Sequence, residues 1–339
     1  MKTSILCVKQ GFPLVLEPEN RLEAASLLPW IKEHSESLST LLARYGAVLF
    51  RGFGVDDPST LRLAAESFGG TLGRYRDGNS PRTSLPGDVY TSTEYPPGLF
   101  ISLHNELSYA PRWPARLFFC CATAPAGGGE TPLADSRVIL QSLERSLVIE
   151  FQSRKLKYIR NLHSGNGYGK SWQQTFETTD RDEVSRYVSA PGSQLLWTDD
   201  GGVRIINVRP ATAVHPITGD EVWFNQADQF HPSTHPPDVY ESLQLLYEGR
   251  EDEMPQYVRF ADDGEIDVSS LNHIREVIRE RMVPVSWVQG DLLILDNMLV
   301  CHGRMPYTPP RRILVAMTGE LHDELFEYAD SNRSDPTGE

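Results

Sequence analysis

Residues 290–304 read GDLLILDNMLVCHGR. Gly290-Asp291 makes a turn, Leu292 to Leu295 form an unbroken apolar run, and His302-Gly303-Arg304 close a second one. An apolar run of this length between turn signals is a short strand candidate. Working outward, further short strands are expected at 117–122, 156–160, 203–208, 283–288 and 312–317. Gly/Pro turns separate them, among them Ala126-Gly127-Gly128-Gly129, Gly201-Gly202 and His215-Pro216. One helix is expected over 135–151. Nearer the amino end, Leu41, Leu42 and Tyr45 recur at helical spacing before a buried strand at 47–50. Asp57-Pro58 starts another helix, whose Leu61, Ala64, Ala65 and Phe68 share a face. The expected class is mainly β with flanking helices, a sandwich or jelly roll. A single domain over 1–322 is expected, with an acidic tail at 323–339.

Composition removes several function classes. With 32 Lys and Arg against 46 Asp and Glu, the chain carries a formal charge of −14, the wrong sign for a nucleic-acid partner. Its apolar runs are far shorter than the roughly 18 residues a membrane span needs. The amino-terminal apolar stretch is interrupted by Lys9 too early for a secretory signal, so a cytoplasmic location is expected. Four cysteines without a CxxC spacing suggest packing residues in a reducing compartment, and neither a disulfide framework nor a thiolate zinc site.

Alone, His302 reads as a core histidine bonded to a backbone carbonyl. Its meaning changes with a partner motif. Three His-x-Asp/Glu triplets occur, at His34, His104 and His322. The first lies in a polar helical region and the third opens the acidic tail, so both read as surface residues. His104-Asn105-Glu106 sits where a strand runs into a loop. Two imidazoles and one carboxylate on one side of an ion leave the opposite side open, the arrangement non-haem Fe(II) oxygenases use for cosubstrate and dioxygen. Arg311-Arg312, after a Pro-rich turn, head an apolar strand. An arginine fork there suits the carboxylate of a diacid whose other end chelates the metal.

Together with Tyr90-Thr91-Ser92-Thr93-Glu94-Tyr95, Gly128-Gly129-Glu130-Thr131-Pro132 and Trp223-Phe224-Asn225-Gln226, these residues resemble the taurine dioxygenase and clavaminate synthase superfamily of Fe(II)/2-oxoglutarate oxygenases. The branch typified by the syringomycin aspartyl hydroxylase is the most similar. The resemblance spans about residues 12 to 318. It implies a double-stranded β-helix (jelly roll), iron on His104, Glu106 and His302, and 2-oxoglutarate and O2 as cosubstrates. It also implies that Arg312 and Thr131 hold the distal carboxylate of 2-oxoglutarate, with Arg311 ranked second. Asn105 and Asp296 are candidates to orient the ligands. The taurine-binding arginine of the family is replaced by Ala316, which argues against a sulfonate substrate. Glu106 is present where halogenating relatives lack the metal carboxylate, which argues against halogenation.

Substrate-binding candidates are Glu94, Asn105, Arg160 and Asn225, with Glu94 and Arg160 as a charged pair for an amino acid's two ends. The loop 162–169, rich in Gly, Ser and Asn, has the composition of a lid. Arg304 reads as a solvated strand end. The expected activity is oxidation, most simply hydroxylation, of an aliphatic C–H in an amino acid or a metabolite derived from one. The substrate is either free or presented on a carrier protein, within natural-product biosynthesis. Desaturation, cyclisation and epimerisation are alternative outcomes of the same chemistry. A zinc or nickel jelly-roll hydrolase or isomerase, and a non-catalytic binding module, are the rival classes.

Overall fold

The structure, a computed structural model, describes residues 1–322 apart from 8, 21 and 168. The expected tail at 323–339 lies outside the described residues. An eight-stranded sheet runs in the order Lys2–Cys7, Phe12–Glu17, Ala47–Phe50, Leu292–Asp296, Arg112–Thr123, Arg312–His322, Val89–Thr91, Ser84–Leu85. All its pairings are antiparallel except that of Phe12–Glu17 with Ala47–Phe50.

The strand Leu292–Asp296 is covered on both sides, which explains its unbroken apolar sequence. Leu292 and Ile294 meet the helices Ala24–Glu33, Ser35–Tyr45 and Pro58–Ser67 through Leu27, Ile31, Leu42, Leu61 and Ala65. Leu293 and Leu295 point the other way into a second core, with Phe119, Ile313, Val315 and Met317. Successive strand residues alternate faces, so the neighbours Phe118, Leu314 and Ala316 join the helical side. The helix Pro58–Ser67 begins as its sequence suggests: the Asp57 carboxylate accepts from the Ser59 and Thr60 amides, with Pro58 following.

A four-stranded sheet, in the order Val283–Val285, Thr131–Asp135, Val300–Arg304, Ile101–His104, faces that inner core. A further four-stranded sheet, Ser193–Trp197, Val203–Arg209, Leu156–Leu162, Gln256–Phe260, builds an outer wall with the helices around it. The expected helix at 135–151 is two helices, Ser136–Ser142 and Arg145–Arg154. Leu143 between them is extended, and the break lets Leu143, Leu147 and Phe151 all reach the inner core. The strand expected at 283–288 stops at Val285, freeing Trp287 to turn its indole toward Thr131. The fold is therefore sheet-rich with flanking helices, and none of its described helices is long and apolar enough to cross a membrane. The four cysteines are all unpaired.

Candidate metal centre

The centre is built on one strand pairing. His104 ends the strand Ile101–His104 and lies directly opposite His302 of the strand Val300–Arg304. Their rings sit 4.6 Å apart between centroids. The register slips between His302 and Arg304. Gly303 stands there, and a side chain at that position would meet the Ile101 carbonyl oxygen at 2.4 Å. After His104 the chain leaves the sheet, and a left-handed Leu107 turns it back (φ 59°). Glu106 is thereby brought beside both imidazoles.

Ligand atoms of His104, Glu106 and His302 all lie within 4.8 Å of one another, and all three residues are buried. His104 Nδ1 meets the Ser102 carbonyl oxygen at 2.9 Å, which fixes the ring and leaves Nε2 free. His302 Nδ1 is buried without a hydrogen-bond partner. Burial, reinforced by His104 and the Arg82 charge, holds the His302 pKa well below 6.5, so the ring is neutral and keeps a lone pair. A buried carboxyl group and two imidazoles, one with an orphaned nitrogen, are a donor set that fits a divalent cation.

The peptide of Glu106 is held on both sides by Asn297. The Asn297 Oδ1 accepts from the Glu106 amide at 2.7 Å, and its Nδ2 donates to the Glu106 carbonyl oxygen at 2.9 Å. Asn105 donates to the Asn297 carbonyl and to Ser136 Oγ, and its own carbonyl accepts from Gln226. Asn105 is thus a fastening for the ligand loop, and not a residue free for substrate. Asp296 accepts from the Met298 and Leu299 amides and pairs with His215, shaping the turn next door.

A small pocket opens at His104 and His302, bordered by Ser92, Phe119, Thr131, Arg304, Arg311 and Ile313. Of the two arginines, it is Arg311, ranked second from the sequence, that the structure brings to this pocket. Arg311 lines the pocket, whereas Arg312 is exposed at the start of its strand. Ile313, Val315 and Met317 face the inner core, and Arg311, just before this strand and next to a register shift at Arg312/Ile313, lies on the same side. Arg311 Nε donates to the Gly129 carbonyl at 2.9 Å and Nη1 to Ser92 Oγ at 3.3 Å. Gly129 makes room, since a Cβ there would lie 3.0 Å from Arg311 Cδ and 2.9 Å from Tyr307. No described carboxylate pairs with Arg311, and burial, then the Arg304 charge, push its pKa down to about 10. Thr131 Oγ1 accepts from Trp287 Nε1 at 3.0 Å on the same pocket wall.

Arg304 is no solvated strand end. It is 4% exposed and donates to the carbonyls of Thr93, Tyr95, Pro96 and Leu99, clamping that loop over the site. The proposed pairing of Glu94 with Arg160 does not form. Glu94 is exposed and accepts from Thr83 and Thr91. Arg160 is fully buried against Asp77 and stacks on Tyr109. Asn225 is spent on Ala211 and Ala227. None of these three reaches the pocket, because each is absorbed by the fold's own polar network.

A larger cavity, of about 170 Å3, lies in the outer wall, bordered by Asn79, Tyr95, Leu162, Lys170, Met254 and Gln256. Lys170 donates to the Gly78 carbonyl at 2.9 Å, and burial followed by the Arg82 charge lowers its pKa to about 8. Leu162 and Gly169, at either end of the lid-like loop, both border this cavity. Residues that sequence reasoning missed are Arg82, which is ion-paired with Glu106 at 2.6 Å, and Asn297, Ser92 and Trp287. Asn297, directly after the strand Leu292–Asp296, and Ser92, inside the Tyr90–Tyr95 motif, lay close enough to a motif to be found.

Residues 10–318 match the model of the taurine catabolism dioxygenase TauD, TfdA family. The chain belongs to the TauD/TfdA family. It is 31% identical over 295 residues to the dapdiamide synthesis protein DdaC of Enterobacter agglomerans, covering 87% of each chain. A clavaminate synthase-like protein of Arabidopsis thaliana is 32% identical over 323 residues, 90% of this chain and 93% of that one. Among solved structures, PvcB from Pseudomonas aeruginosa superposes with a TM-score of 0.52 at 17% identity, covering 91% and 85% of the two chains. A putative 2-oxoglutarate-dependent 2,4-D dioxygenase from Burkholderia xenovorans gives 0.53 at 15% identity, covering 94% and 96%. These two likenesses concern the fold. As a member of this family, the chain is a non-haem Fe(II)- and 2-oxoglutarate-dependent dioxygenase acting on a small molecule.

Proposed function

We propose that this dioxygenase hydroxylates an aliphatic C–H of an amino acid or an amino-acid-derived metabolite, free or carrier-bound, in natural-product biosynthesis. In this reading residues 1–322 are one cytoplasmic catalytic domain whose two facing sheets form a double-stranded β-helix. His104, Glu106 and His302 hold the iron. Arg311 takes the distal carboxylate of 2-oxoglutarate, with Thr131 and Ser92 beside it. The observation that carries the site is Arg311: a half-buried guanidinium bonded to neutral groups, on the pocket that His104 and His302 line. A partly desolvated cation without a carboxylate partner favours an anionic ligand, and a dianionic cosubstrate supplies one. Similarity to a dapdiamide synthesis protein supports the biosynthetic setting.

When bound, iron with 2-oxoglutarate and dioxygen supplies the oxidant, 2-oxoglutarate leaving as succinate and carbon dioxide. The protein's part is placement. His104 is oriented by the Ser102 carbonyl and Glu106 by Asn297. Phe119, its ring 5.2 Å from His302, excludes water from one side of the centre. The outer cavity combines an ammonium, amides and apolar walls, which suits a substrate with both charged and aliphatic parts.

The test is a mass-spectrometric screen of free and carrier-loaded amino acids with Fe(II), 2-oxoglutarate and air. Succinate formation with a product one oxygen heavier is expected. A product two hydrogens lighter would replace hydroxylation by desaturation or cyclisation. Turnover under nitrogen with zinc or nickel would overturn the proposal in favour of a hydrolase or isomerase.

A further inference from the structure

We infer that Arg82 is a positioning residue that limits Glu106 to one oxygen toward the metal, an inference that rests on the metal site proposed above. Arg82 Nη2 lies 2.6 Å from Glu106 Oε2, and the two side chains are 2% and 5% exposed. The guanidinium is backed by the Tyr75 ring, its Cζ 4.2 Å from the centroid. Tyr75 is itself anchored, its amide donating to Tyr90 Oη and its hydroxyl accepting from the Ser80 amide. Arg82 Nε and Nη1 are buried without partners, so Glu106 is the acceptor that compensates this cation. Asn297 fixes the other end of Glu106 through its peptide. One carboxylate oxygen is therefore spoken for before any ion arrives.

Coordination arithmetic gives this contact a purpose. A ferrous ion with oxygen and nitrogen ligands favours about six positions. Two imidazoles and a single carboxylate oxygen fill half of them, leaving two for a keto acid and one for dioxygen. A carboxylate bound through both oxygens would consume the place dioxygen needs, or force the keto acid to compete for it. Arg82 on the second oxygen keeps the count right. A merely structural ion pair would instead support the three ligands as a unit, so metal and cosubstrate binding would weaken together.

The two roles separate in calorimetric titrations of the full chain under nitrogen, first with Mn(II) or Fe(II) alone and then with 2-oxoglutarate added to the metal-loaded protein. For Arg82→Met, metal affinity should stay within about threefold of wild type while 2-oxoglutarate affinity falls about tenfold or more, because the freed carboxylate oxygen would compete with the keto acid for a position on the metal. Parallel loss of both affinities, or loss of neither, overturns the inference. Wild-type protein that binds no metal would sink the proposed site itself, before any variant is compared. A crystal structure of wild-type protein with Mn(II) decides the matter even if the variant fails to fold. Glu106 should reach the ion through one oxygen with Arg82 still on the other. Coordination through both oxygens, or an Arg82 displaced from Glu106, overturns it.

Discussion

The inner pocket and the outer wall secure their polar groups by different means. In the inner pocket a main-chain ladder sets His104 against His302, and Arg311 stands just before the strand that carries Ile313, Val315 and Met317. The loops around residues 75–97, which reach from the rim of that pocket to the outer wall, are held by side chains: Arg160 on Asp77, Arg82 on Tyr75 and Glu106, and Arg304 on four carbonyls. A ladder tolerates change in one side chain, because its hydrogen bonds belong to the backbone. A network of buried ions does not, since removing one member strands its partner.

The largest effect should come from breaking that network. Asp77→Ala leaves the Arg160 guanidinium buried without its carboxylate, at a cost of about 3–5 kcal/mol in folding stability. Urea unfolding measures it, and a loss below about 1 kcal/mol would show that the wall does not depend on the pair.

Acid sharpens the same contrast. Burial holds His231 at a pKa of about 4 in the folded protein, against an ordinary 6.5. As pH falls from 6.5 toward 4 the unfolded chain takes up a proton that the folded one refuses, so stability drops. At about pH 4.5 this amounts to roughly 2.5 kcal/mol. Asp228, raised to about 6 by burial, works in the opposite sense over 3.8 to 6, because its folded carboxyl protonates first. Comparing wild type with His231→Gln at neutral and acid pH cancels that contribution, and the variant should lose less stability on acidification by the stated amount.

Smaller effects are expected where the ladder sets the geometry. Arg311→Ala should weaken 2-oxoglutarate binding by about 1.5–3 kcal/mol, the range for a hydrogen bond to a charged group. Metal binding should be nearly intact. Arg312→Ala, on the exposed side, should change either affinity by less than about 0.5 kcal/mol. Equal effects at the two positions would undo the assignment of Arg311.

Much of the inner pocket was legible. His104, Glu106, His302 and Thr131 stand in short motifs, and the strands that carry them announce themselves by apolar runs. The choice between Arg311 and Arg312 was not, because alternation says that neighbours oppose each other without saying which one faces inward. That required knowing that Leu314 and Ala316 meet helices. The outer wall was misread for another reason. Arg160, Asn225 and Glu94 carry groups suited to a substrate, yet each is consumed by partners distant in sequence or by a local turn. Arg82 gave no signal, since its partner Glu106 lies beyond a stretch of loop with no periodicity. The break at Leu143 escaped because a continuous helical pattern does not reveal where packing demands a change of direction.

The pairing of His104 with His302 has a consequence for biosynthesis. The two imidazoles stand at positions 104 and 302, so in a polypeptide still on the ribosome the proposed iron site is incomplete until that late strand has emerged. Under that proposal, oxidant chemistry is withheld from chains in which most of the fold has yet to be made.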